Sequence, residues 1–176
     1  MEDWTPERVA DRLQITEVLY RYCRAIDRIQ PADLATLVFH PDAQVDKGDP
    51  VPVAEFIATV AQRHPGVPKA SHMVMNPIVE FTGPDSAFVE SWCLALERQV
   101  PKADEPRTID RVFRVRYGDR FERRGGRWLI AYRAFAMDHE LSVVFDPALQ
   151  STLGSRLEGQ RNSSDPLMKM RAEAGL

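Results

Sequence analysis

Two cysteines and four histidines among 176 residues leave little material for metal or redox chemistry. Cys23 and Cys93 fall in a helix-like and a strand-like segment, with no second Cys or His at ligand spacing, so both read as reduced, buried small hydrophobes. Also missing are a glycine-rich phosphate loop and a nucleophile elbow, and no metal or nucleotide cofactor is expected. No apolar run is long enough to span a bilayer. The opening Met1-Glu2-Asp3-Trp4-Thr5-Pro6 has neither the basic start nor the apolar stretch of a secretory signal, which predicts a cytoplasmic protein. Neither sign of charge dominates: 23 Lys and Arg interleave with 26 Asp and Glu for a formal net charge of −3. That balance argues against nucleic acid or an anionic membrane as partner and favours a small molecule.

What is present is enough for one core, since 44% of the residues are hydrophobic and the length suits one domain. Thr5 as N-cap, Pro6 at the first helical position and the stripe Ile15, Leu19, Tyr22, Ile26 predict a first helix, interrupted at Gln30-Pro31. A short second helix carries Leu34, Leu37 and Val38 and is closed by His40-Pro41-Asp42. A short strand is expected over 43–45, and a third helix over 53–63 with Phe56, Ile57 and Val60 inward. Beyond Ser71 the pattern turns to β-branched and aromatic runs, predicting strands near 71–81, 87–100, 108–124 and 127–137 in an antiparallel meander. The turns are Gly83-Pro84-Asp85-Ser86, a polar loop over 101–107, and Gly125-Gly126. Helices first and long strands afterwards give an α+β chain whose helices cover one face of a strongly curved, mostly antiparallel sheet. One domain is expected, with its body over residues 1–140 and 141–176 as an irregular C-terminal arm of the same domain carrying one short helix.

Three polar residues stand out. Asp27 flanks the buried stripe of the first helix, at about 100° per residue, and is either a solvated acid paired with Arg24 or Arg28 or a carboxylate at the edge of a pocket. Alternation along Ser71-His72-Met73-Val74-Met75-Asn76 puts His72, Val74 and Asn76 on one side, as a core histidine with one hydrogen bond or as a pocket wall. Arg133 sits in an apolar strand and needs an acidic or hydrogen-bonding partner, for which Asp119 and Asp27 are candidates, or else reaches the cone mouth or an interface as a structural ion pair. Trp92, Phe113, Tyr117 and Phe121 read as pocket walls or as ordinary core. His40, His64 and His139 read as surface or capping residues.

The string Tyr22-x-x-Ala25-Ile26-Asp27, then Phe39-His40-Pro41-Asp42-Ala43, Ser71-His72-x-x-x-Asn76, and Tyr117-x-Asp119-x-Phe121-x-Arg123-Arg124-x-Gly126-x-Trp128-x-Ile130-x-x-Arg133 resembles the SnoaL-like family. That family includes hexachlorocyclohexane dehydrochlorinase, scytalone dehydratase and bile-acid dehydratases. The resemblance implies a nuclear transport factor 2-like cone and cofactor-independent lyase chemistry. It assigns Asp27, His72 and Arg133 as orienting acid, base and electrostatic support. Tyr22, Asn76, Trp92, Phe113, Tyr117 and Asp119 are expected around the substrate. The resemblance departs at Tyr22, where the dehydrochlorinase has a lysine.

The function expected is β-elimination on an apolar cyclic small molecule. The same base would also serve isomerisation or cyclisation, and the cone can equally host a non-catalytic ligand carrier or oxygenase-partner subunit. A homodimer or homotrimer is expected, because a curved sheet leaves one broad face to cover.

Overall fold

The computed structural model describes residues 4–100, 107–145 and 157–176. Helix α1 spans Pro6–Asp27, with the Thr5 hydroxyl accepting from the Arg8 amide at 3.3 Å, and it buries Ile15, Val18, Leu19, Tyr22, Cys23 and Ile26 along one stripe. This is the cap and the apolar spacing that the sequence carries. The helix ends on an unusual turn: Ile29 adopts φ 53° while the Gln30 amide reaches back to the Ala25 carbonyl at 2.8 Å. A left-handed residue after a helix is ordinarily glycine, and a β-branched one there is strained. Pro31 then starts α2, Pro31–Asp33, which runs into a π-turn over Leu34–Val38.

Strand β1, Phe39–Asp46, is longer than expected and includes His40, Pro41 and Asp42, which do not close a helix. It pairs in parallel with the last long strand, a non-local contact that short-range sequence patterns do not encode. The short β2, Pro50–Pro52, precedes α3, Val53–Arg63, and a 3₁₀ turn His64–Gly66. Four long strands follow: β3 Ala70–Gly83, β4 Ser86–Arg98, β5 Thr108–Arg124 and β6 Arg127–Phe145. The loop expected over 101–107 lies, except for Arg107, outside the described residues.

The six strands form one open sheet in the order β2-β1-β6-β5-β4-β3, antiparallel except at β1 and β6. Bulges between Met75 and Ile78 on β3, and at Asp138 and Ala131 on β6, opposite the Arg114–Val115 and Arg120–Phe121 steps of β5, bend it. The sheet thereby curves around α1 and α3 as an α+β, nuclear transport factor 2-like cone. On the concave side Ile15, Leu19, Leu34, Val38, Phe121 and Ile130 are fully buried, each contributing about 1.5–3 kcal/mol of transfer free energy. Strand β6 continues to Phe145 because its partner β5 begins at Thr108, opposite it, so pairing crosses the boundary set at 140. The expected short helix of the arm is α4, Pro166–Glu173, capped by Asp165; residues 146–156 lie outside the described residues.

Candidate active site

Asp27, the last residue of α1, meets His72, near the start of β3. Its Oδ1 lies 2.8 Å from the His72 ring Nδ1, and its Oδ2 accepts the His72 backbone N–H at 2.9 Å. Both side chains are mostly buried, 14% and 10% exposed. Of the alternatives open in the sequence, pairing with Arg24 or Arg28 is therefore not the one adopted. An ionised carboxylate only accepts, so the proton of a neutral His72 ring sits on Nδ1 and Nε2 keeps its lone pair.

The imidazole lines a cavity of about 90 Å³, open to solvent, together with Tyr22, Ile26, Lys47, Phe56, Thr59, Val60, Arg63, His64, Glu97 and Phe135. The wall is apolar at Ile26, Phe56, Val60 and Phe135 and charged towards Lys47, Arg63 and Glu97. The expectation of a uniformly apolar pocket is thus corrected: Lys47 follows β1, Arg63 ends α3 and Glu97 faces inward from β4, so three different elements deliver charge to one place.

Of the expected pocket residues, Tyr22 lines this cavity. Asn76 and Trp92 instead border a separate groove with Met75, Leu94 and Arg114. Alternation breaks at the β3 bulge, where Asn76 takes φ 51°, and Trp92 points away from its buried neighbours Ser91 and Cys93 to sit beside Arg114 and Arg116. Phe113 follows His72 and Ala95 along one cross-strand row but packs on the core rather than on the cavity.

Tyr117 and Asp119 belong to a second layer beneath Tyr22. Arg133, fully buried, bonds both Asp119 oxygens at 2.7 Å, and Asp119 stands directly opposite it on β5. The guanidinium is sandwiched 4.1 Å from the Tyr22 ring centre and 4.2 Å from that of Tyr117, while its Nη1 has no hydrogen-bond partner among the described residues. Burial pushes the Asp119 carboxyl up, opposed by Arg133, whose own pKa is raised by Asp119 despite burial. Arginine cannot discard its proton here, so the pair is ionised. Burial likewise raises the Tyr22 and Tyr117 phenols, keeping them protonated.

Arg161 carries no signal in its polar stretch, yet it is the residue that ties the site together. It donates to the carbonyls of Ile26 at 2.9 Å, Asp27 at 3.0 Å, His64 at 3.2 Å and Val67 at 2.8 Å, with its Nη2 3.0 Å from His64 Nδ1. These include two terminal carbonyls of α1, of which Ile26 also accepts from the Ile29 amide at 3.3 Å, and the Arg161 charge offsets the helix dipole beside Asp27. Of the residues read as surface or capping, His64 does cap α3, its amide donating to the Val60 carbonyl, but neither it nor His40 is at the surface: both are buried, and His40 Nε2 lies 2.9 Å from the Glu122 carbonyl oxygen. Burial and the nearby Arg161 and Arg63 push the His64 imidazole down to about 4, so it is neutral at pH 7. His139 is exposed, and Cys23 and Cys93 are buried free thiols. Among the described residues no group of three or more His, Cys, Asp or Glu is placed to hold a metal ion, and no helix is long and apolar enough to cross a membrane.

Solved structures of similar fold include hexachlorocyclohexane dehydrochlorinase LinA type 2, with TM-score 0.67, 18% identity and coverage of 84% of this chain and 97% of that one. The dehydrochlorinase LinA-type3 of Novosphingobium barchaimii gives TM-score 0.65 and 21% identity over 80% and 97% of the two chains. A protein described as a putative scytalone dehydratase, from Novosphingobium aromaticivorans, gives 0.64 and 17% over 84% and 96%. At such identities the likeness establishes the fold alone. No curated protein matches the chain in sequence. The model of the SnoaL-like domain, however, matches residues 7–134, a span that contains Asp27, His72 and Arg133 and most of the chain, and the protein therefore belongs to the SnoaL-like family.

Proposed function

We propose that the protein is a cofactor-independent lyase that removes water or hydrogen halide from a small cyclic molecule by β-elimination. The observation that carries this reading is the two-point bond between Asp27 and His72 at the cavity wall. Fixing Nδ1–H against a carboxylate leaves Nε2 as the base and stabilises the imidazolium once it takes a proton from carbon. The same step beside a carbonyl gives isomerisation or cyclisation. Arg133 does not line the cavity, so its support for departing negative charge is a field exerted through Tyr22 rather than a contact. Self-association belongs to the same proposal, since the outer sheet exposes Met73, Met75, Ile78 and Phe88.

The test is a pooled screen of hydroxylated and halogenated cyclic compounds with wild type, Asp27→Asn and His72→Ala, read by mass spectrometry. Loss of water or hydrogen halide with wild type only is the expected result. A product of unchanged mass would move the chemistry to isomerisation or cyclisation, and binding without turnover by all three proteins would replace the lyase with a ligand carrier.

A further inference from the structure

The charged end of the cavity holds an imbalance. Arg63 and Glu97 pair at 2.8 Å and neutralise each other. Lys47 has no hydrogen-bonding or ion-pair partner among the described residues. Its ammonium instead lies 5.2 Å from the ring centre of Phe56 and 4.9 Å from that of Phe135, two rings that line the same cavity as His72. Although Lys47 as a residue is exposed, the head group rests against the cavity wall. Desolvation there, then the Arg63 charge, hold its pKa below the usual lysine range against a weaker opposing pull from Glu97. A cation so placed gains most from an anion that arrives with a ligand.

We propose that the substrate carries a carboxylate, which Lys47 binds at the cavity mouth while the ring carrying the reacting C–H enters towards His72. The inference rests on the reading of this cavity as the substrate site and adds the chemical class of its ligand. The cavity, at about 90 Å³ and open to solvent, is smaller than the ~150 Å³ apolar cavity that encloses benzene, so it takes only the reacting edge of a ring while the rest of the molecule, with its polar end, stays at the mouth. The two aromatic faces hold the ammonium above the opening, so little side-chain freedom is lost when the carboxylate binds.

The experiment compares cyclohexanecarboxylate with its near-isosteric neutral twin, cyclohexanecarboxamide, by calorimetry and by NMR of the histidine rings. Wild type, Lys47→Met and His72→Ala are used, with folding of each checked by circular dichroism. The expected result is carboxylate binding about tenfold or more tighter than carboxamide in wild type, the size of one charge-assisted hydrogen bond. Lys47→Met should lose that preference while carboxamide affinity stays, and His72→Ala should keep it. Equal affinity for the twins, a preference that survives Lys47→Met, or no carboxylate binding at millimolar concentration would overturn the inference. Turnover of neutral compounds as fast as of their acids would also sink it and leave the lyase standing. Carboxylate preference without turnover of any compound does the reverse.

Discussion

The Asp27 carboxylate accepts two hydrogen bonds from the single residue His72, one from the ring and one from the backbone amide. A ring contact alone would fix the tautomer. The second bond also fixes where the strand starts relative to the helix end, so the position of the base and its protonation are set by the same group.

Replacing that carboxylate should therefore be costly for turnover and cheap for folding. With a substrate in hand, Asp27→Asn is expected to lower kcat by about 10²–10⁴-fold, the scale of general-base assistance and correct tautomer. His72→Ala should do at least as much, with the thermal unfolding midpoint of both variants within a few degrees of wild type. Steady-state kinetics beside a thermal melt checks this, and a variant with wild-type kcat removes the pair from the mechanism.

Arg133 and Asp119 should show the opposite balance. Each single truncation, Arg133→Met or Asp119→Leu, leaves an uncompensated charge in a fully buried site and is expected to cost about 3–5 kcal/mol. The double variant should recover much of that loss, since it removes both desolvation penalties. Urea unfolding of the four proteins gives the coupling, and additive losses would show that the ion pair is not what the core relies on.

Arg161 is expected to hold the end of α1 from 134 positions away. Arg161→Met should lose about 2–4 kcal/mol and shift the NMR signals of His72, because the Asp27 and Val67 carbonyls lose their guanidinium donor while those of Ile26 and His64 keep only a backbone amide. Arg161→Lys should restore less than half, since an ammonium cannot reproduce the fork that spans Ile26, Asp27, His64 and Val67. Full stability with lysine would mean that charge alone matters there.

Stability should also fall on mild acidification through His64. Its folded pKa, about 4, lies below the ordinary 6.5, so between these values the unfolded chain binds the proton and the folded one does not. The contribution is complete above about pH 6.5 and declines as pH falls towards 4, by up to about 2–3 kcal/mol. Unfolding free energies measured across that range should slope less steeply in His64→Gln, whose side-chain oxygen can still accept from Arg161; equal slopes would place the acid sensitivity elsewhere.

By itself the sequence determined the elements whose signals are local. The Thr5-Pro6 cap, the Ile15 and Leu19 stripe, the third helix at 53–63 and the four alternating strands are all in place, because cap chemistry and side-chain period act over a few residues. It also carried Asp27, His72 and Arg133, through motifs at recognisable spacing. Contacts between distant segments were decided only in three dimensions. Strand β1, paired in parallel with β6 at Phe39 and again from Gln44, carries His40-Pro41-Asp42 as an irregular stretch of strand between those points rather than as a helix stop, and the β3 bulge sent Asn76 away from the face that alternation assigned to it. Lys47, Arg63 and Glu97 converge from three elements, and Arg161 returns from the chain's last stretch to the end of its first helix. Such partners are chosen by the hydrogen-bonding and charge that burial leaves unsatisfied, and burial exists only once the sheet has curved around the helices.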